Sequence, residues 1–172
     1  MGIIYELQNI STAPKGILLL VVIFIISKIL KYFFSKKRNQ KKLLKKYGQD
    51  LDKLQKMDWK EFELLCEDFF KRRGWNTFCS DKSGADGGVD VWLERKKEKS
   101  IVQCKRYGKT KVGVKVVREM FGLMHSNGCD SAYIMTSSSF TKEGYLFAKG
   151  KRISLIDGKE MIRLIKEMNL RS

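Results

Sequence analysis

The second half of this chain alternates strand-like and helix-like segments, which predicts an α/β domain with a central mixed β-sheet flanked by α-helices. Three observations carry this. A helix marked at both ends occupies residues 58–74, three short β-branched or aromatic runs follow it, and strands and helices then alternate to the C-terminus.

In DWKEFELLCEDFFKRRG, residues 58–74, Asp58 is the N-cap, Glu61 follows three residues later, and Gly74 stops the helix. Trp59, Phe62, Cys66 and Phe69 share one face, and a helical plot puts Glu63 at its border, beside Trp59 and Phe70. WNTFCS, GVDVWLE and SIVQCKRY then read as strands. VGVKVVREMFGLMHSNG reads as a helix, although its opening KVGVKVV also alternates like a strand. SAYIMTSS is a buried strand, followed by a short helix from about Thr141, the strand RISLI and the helix GKEMIRLIKEM. The domain so defined takes residues 58–172.

Ahead of it the chain divides into an N-terminal segment 1–15, an apolar stretch 16–34 and a basic linker 35–57. From Ile17 to Phe34 the apolar stretch would make roughly 27 Å of helix, close to the ~30 Å hydrocarbon core, and it predicts one transmembrane helix. Lys28 and Lys31 can snorkel to the headgroups. A cleaved signal peptide and a buried soluble helix are the rival readings; the first lacks a positive n-region, since the bases follow the apolar run. Nine bases between Lys28 and Lys46, with no acid among them, orient the domain to the cytoplasmic side of the cell membrane. That run suits anionic lipid, or DNA as the alternative. Leu44, Tyr47, Leu51 and Leu54 form a stripe for packing on the domain or on a second copy in a homodimer.

The formal charge is +16, and its distribution is uneven. Residues 1–50 hold 10 bases and 2 acids, 51–100 hold 11 and 11, and 101–172 hold 14 and 6, so a basic face for a polyanion is expected on the domain. Cys66, Cys79, Cys104 and Cys129 are far apart and His125 is the single histidine, which disfavours structural zinc and removes chemistries that need a histidine pair. The cysteines read as small core residues, and His125 as a helix-end residue.

The hairpin around RKKEK carries the chemistry. Centred between Lys96 and Lys97, it sets Val91 against Val102 and Asp90 against Gln103. Alternation then puts Val89, Val91, Leu93, Val102 and Cys104 on one face and Asp90, Gln103 and Lys105 on the other. An acid, an amide oxygen and a lysine side by side are expensive to bury uncompensated, and a hard cation such as Mg²⁺ or Mn²⁺ compensates the oxygens. An exposed polar sheet edge is the plain alternative. The preceding GADGGVD reads as a solvated turn built from glycine and aspartate, with Asp86 as a turn residue.

WKEFELL, GADGGVDVWL, IVQCKRY, VREMFGLM, AYIMTSSSFT and ISLIDG, in that order, resemble the Mrr-like branch of the PD-(D/E)XK, or restriction endonuclease-like, superfamily over about residues 58–165. The resemblance implies Asp90 as the metal-binding acid, Gln103 and Lys105 as the (E/Q)xK pair, and Glu63 as a helix-borne acid. Gln103 stands where the superfamily pattern often has Glu, one negative charge fewer. The Cys104 carbonyl is a further candidate metal ligand. Lys109, Lys111, Lys115 and Arg118, with Lys149, Lys151 and Arg152, are candidates for a DNA-facing surface, and Ser138 and Thr141 for phosphate contacts or ordinary capping. The expectation is a membrane-anchored, metal-dependent DNA endonuclease. A catalytically silent nuclease fold that binds DNA at the membrane is the alternative, and a lipid-binding scaffold the third reading.

Overall fold

The computed structural model describes residues 17, 19–31, 47, 50–79 and 88–170. The chain divides into two compact units, Met1–Asn39 and Gln40–Ser172. In the first, residues 19–31 are helical. Leu19, Leu20, Ile23 and Phe24 of this helix are exposed, as are Ile26 and Leu30. Ser27 Oγ donates to the Phe24 carbonyl, and the Lys28 ammonium lies over the Phe24 ring. Among the described residues no helix is long and apolar enough to cross a membrane. The continuous helical run covers about 20 Å at ~1.5 Å per residue, short of a span, and both ends of the expected 16–34 segment lie outside the described residues.

The second unit contains α1 (Leu51–Lys56), α2 (Trp59–Arg72), β1 (Asn76–Cys79), β2 (Val91–Arg95), β3 (Glu98–Lys105), α3 (Val114–Ser126), β4 (Ser131–Thr136), α4 (Lys142–Ala148), β5 (Ile153–Ile156) and α5 (Gly158–Leu170). Asp58 caps α2 by accepting from the Lys60 amide, and Gly74 closes it with φ +80°. The five strands pair in chain order. β1–β2 and β2–β3 are antiparallel, the latter joined by a two-residue turn, whereas β3–β4 and β4–β5 are parallel because α3 and α4 carry the chain back between them. KVGVKVV serves both of its periodicities: Val112 makes a parallel bridge to Phe140, and the helix begins at Val114.

Alternation along the strands feeds two cores. Val91, Leu93, Val102, Cys104, Met135 and Ile156 pack with Phe62, Cys66 and Phe69 of α2 and Met161 and Ile165 of α5. Ile101, Ala132, Ile134 and Ile153 pack with Val117, Met120 and Met124 of α3 and Ala148 of α4. The sheet is thus sandwiched, with α1, α2 and α5 on one face and α3 and α4 on the other. Leu54 and Met57, counted with the linker in the sequence, are fully buried in the first core, and Tyr47 and Leu51 pack against it. Leu44 lies outside the described residues.

Two expectations need correction. Val89 belongs to the second core, not to the Val91 face, because the chain turns at Gly88 with φ +102° and regular strand alternation starts only at Val91. Cys79 is exposed on the edge strand β1, whereas Cys66, Cys104 and Cys129 are buried as small core residues.

Because Leu54 is sealed between α1 and the first core, Leu54→Ala should lower the unfolding free energy by about 2–5 kcal/mol in chemical denaturation. Lys56→Ala, on the exposed side of the same helix, should change it by under about 0.5 kcal/mol.

Candidate active site

The β2–β3 hairpin has the register expected from its two-residue turn: Val91 faces Val102 and Arg95 faces Glu98. One residue before β2, the Asp90 amide donates to the Val102 carbonyl at 2.9 Å, so Asp90 and Val91 both stand against Val102 and the ladder does not set Asp90 against Gln103 as the sequence predicts. The Asp90 carboxylate bends toward β3 and accepts the Cys104 amide through Oδ2 at 2.6 Å. That bond fixes the carboxylate beside the backbone between Gln103 and Lys105.

Gln103 is 5% exposed, and its Oε1 has no hydrogen-bond partner. Its amide nitrogen lies against Gly88, where an added Cβ would sit 2.6 Å from Nε2. Gly88 is therefore required twice, for its left-handed backbone and for the space that Gln103 fills. A buried amide oxygen with no donor costs about 1–3 kcal/mol, so its retention calls for an absent partner. Both it and the Asp90 carboxylate are hard oxygen donors of the sort Mg²⁺ or Mn²⁺ takes, so the residues present fit such an ion. Among the described residues no group of three His, Cys, Asp or Glu side chains could hold a metal, and a site here depends on this amide oxygen.

Glu63 reaches the same place from α2, on the opposite layer. Burial raises its carboxyl above the ordinary range and the nearby Asp90 charge raises it further, while a hydrogen bond from Trp59 opposes both. Burial likewise raises Asp90, opposed by the Cys104 amide and the positive charge of Lys105. Two incompletely compensated carboxylates thus share one region, with a lysine as their cationic neighbour. Beneath them, the Cys104 thiol is pushed well up by its hydrogen bond to Cys66 and by burial, so both sulfurs belong to the core.

The hydrogen bond from Trp59, one helical turn before Glu63, had a signal in the four-residue spacing that places the two side chains together. Less visible was the lock on Lys105: its carbonyl accepts from Thr136 Oγ1 at 2.7 Å, and Ser137 Oγ donates to the Tyr107 carbonyl at 2.8 Å. These bonds join the end of β3 to the end of β4.

The remaining predicted residues scatter. Thr141 caps α4, accepting from the Gly144 amide at 3.3 Å. Ser138 is buried, its amide donating to Thr136 Oγ1 and its carbonyl accepting from Gly158. Lys109 and Lys111 are exposed on the loop after β3, near the site, and Lys115 and Arg118 are exposed on α3. Lys149, Lys151 and Arg152 lie elsewhere, at the opposite end of the sheet, since the Arg152 carbonyl accepts from Ala132 at the start of β4. Asp86 lies outside the described residues.

A five-stranded mixed sheet with helices on both faces, with an acid just before β2 and a QxK pair on β3, has the restriction endonuclease-like fold. Residues 54–165 match the restriction endonuclease family Mrr_cat, and the chain belongs to it. No curated protein matches it in sequence. Among solved structures it resembles AF1548, a protein of unknown function, at 20% identity and TM-score 0.51 over 61% of this chain and 63% of that one. It also resembles the DNA modification-dependent restriction endonuclease AspBHI at 17% identity and TM-score 0.57 over 71% and 35%. MspJI restriction endonuclease in complex with a 27-mer oligonucleotide aligns at 19% identity and TM-score 0.46 over 78% and 32%. The chain therefore spans under two thirds of the length of each of these proteins.

Gly88→Ala should strain the backbone and displace Gln103, with a loss of about 1–3 kcal/mol in denaturant unfolding. Gly108→Ala, which meets nothing, should be near neutral. Titration supplies a second expectation. Asp90 and Glu63 have native values above their ordinary 3.8 and 4.5, so in that window the folded chain holds protons the unfolded chain has released. Their contribution to stability is fully present below those ordinary values and is lost as pH rises through the raised native ones. In EDTA, thermal unfolding followed against pH should show that loss diminished in Asp90→Asn and Glu63→Gln. An undiminished loss in both variants would contradict the assignment of their burial cost.

Proposed function

We propose that this chain is a metal-dependent DNA endonuclease that hydrolyses phosphodiester bonds. The observation that carries the reading is the buried, unpartnered Gln103 Oε1, one residue along β3 from the Cys104 amide that holds the Asp90 carboxylate. Asp90 and Gln103 would hold a magnesium or manganese ion, with Glu63 and the Cys104 carbonyl as further oxygens. When bound, the ion supplies Lewis acidity toward a phosphate oxygen and acidifies coordinated water.

The chain's own groups divide the remaining work. Asp90 is held by the Cys104 amide in one orientation, so its second oxygen, Oδ1, is left for a ligand. Lys105, whose charge already acts on Asp90, orients the attacking water and offsets negative charge developing on the phosphorane oxygens. Glu63, raised by burial and by Asp90, accepts a proton or a water hydrogen bond from the α2 side. Lys109 and Lys111, exposed next to the strand ends, meet the backbone phosphates that flank the cleaved bond.

The wider proposal places this domain at the cytoplasmic face of a membrane. Its support is the apolar 16–34 stretch followed by the acid-free basic run, together with the exposed apolar side chains of the helix at residues 19–31. Deleting residues 16–34 should move the protein from the membrane to the soluble fraction on cell fractionation.

Plasmid nicking tests the chemistry. With Mg²⁺ or Mn²⁺ the wild-type chain should convert supercoiled to relaxed DNA. EDTA should abolish this, and Asp90→Ala or Lys105→Ala should each slow it by at least about 100-fold. DNA binding without nicking in the wild type would favour the silent-fold reading.

A further inference from the structure

We propose that the outer side of the α3–α4 layer is a second surface for the phosphate backbone of DNA, separate from the cleavage end of the sheet. The identity of the polyanion rests on the nuclease reading; the surface itself is defined by how its cations are held. The Lys151 ammonium lies 4.4 Å from the centroid of the Phe147 ring and 5.9 Å from that of Phe121. The Arg118 guanidinium lies 5.6 Å from the same Phe147 centroid. The two rings stand edge to face, 5.9 Å apart. Two cations from different elements are thus anchored on one aromatic pair.

Arg118, Lys149, Lys151 and Arg152 are all exposed, and among the described residues none of them forms an ion pair. Some cations of the other layer are neutralised instead. Lys71 and Arg72 of α2 are paired with Glu67 and Asp68, and Arg163 of α5 with Glu160 and Glu167. Glu119 of α3 and Glu143 of α4 are exposed on the same two helices, but neither pairs with any of these four cations, whose charge is left unneutralised. A cation over a ring is attracted to the ring face while keeping its charge, and being held there it has less side-chain freedom to lose when a phosphate arrives.

Position separates this surface from the candidate active site. Ile153, just after Arg152, pairs with Ala132, and Ala132 with Ile101 on β3. Lys105 lies four residues farther along β3, roughly 13 Å at ~3.3 Å per residue. Lys109 and Lys111 serve the cleavage end, and the ring-anchored pair carries the same charge sign away from it. A duplex longer than the cleaved segment has phosphates to offer both.

The test uses the full chain and a variant with Lys149→Glu, Lys151→Glu and Arg152→Glu, all at exposed positions. Affinity for a fluorescent 40-base-pair duplex is measured by anisotropy at several salt concentrations, without divalent cations. The slope of log affinity against log salt should fall in magnitude by about 2–3, and by about 1 in Arg118→Gln. An unchanged slope in both, with native circular dichroism retained, overturns the proposal. Flotation with phosphatidylserine and with phosphatidylcholine vesicles is the second arm, and wild type and variant should behave alike. A loss confined to phosphatidylserine vesicles, with DNA affinity unchanged, assigns the surface to anionic lipid and overturns the DNA proposal. Since the slope is read without cleavage, absence of nicking in the wild type would defeat the nuclease reading and leave this result standing.

Discussion

The bond from the Cys104 amide to the Asp90 carboxylate is the constraint on which the candidate site depends. At 2.6 Å it ties the residue before β2 to the end of β3, where the antiparallel ladder would otherwise fray. It also decides which carboxylate oxygen is spent on the protein and which remains. With it, the acid is held at the Cys104 backbone within reach of the Lys105 charge, and the core beneath, through Cys104 and Cys66, is tied to the acid.

Around this bond the protein tolerates polar groups that are poorly compensated. Gln103 keeps an unpaired buried oxygen, and Asp90 and Glu63 are both raised by burial. Structural polar groups in the same domain are handled differently. Glu67 is buried but bonded to Lys71 and Thr77, and Asp68 is bonded to Arg72. The contrast between the ion-paired carboxylates on the α2 C-terminal half and the unsatisfied Gln103 oxygen with the raised Asp90 and Glu63 carboxyls separates scaffold from site. Folded proteins commonly give up stability where chemistry requires preorganised, partly unsolvated charge.

Much of this was legible in the sequence because it is local. The α2 caps lie within one turn of the elements they mark, and a two-residue turn with apolar alternation on each side leaves one sensible register for β2 and β3. Locality also sets the limit. Alternation fails at Val89 because a positive-φ glycine intervenes, and the exposure of Cys79 follows from β1 being an edge, which only the whole sheet reveals. Lys109 and Lys111, and Lys149, Lys151 and Arg152, form one list in the sequence but lie at opposite ends of the strands. The meeting of Arg118 with Phe147 joins α3 to α4 and has no periodic signature. Glu63 is intermediate: its helical position is readable, but its approach to Asp90 depends on how α2 crosses the sheet.

The connectivity of the sheet has a kinetic consequence. β2 and β3 form a hairpin whose strand ends are brought together across only 14 residues from Asp90 to Cys104, whereas pairing Lys105 with Thr136 closes a segment of 31 residues that must first wind α3. Short closures form faster than long ones, and parallel pairing waits for its crossover. The acid and the QxK strand are therefore expected to associate early in refolding, before the parallel half of the sheet docks. Glu63 and the clamp on Lys105 would arrive later, so binding competence should be acquired in stages during refolding.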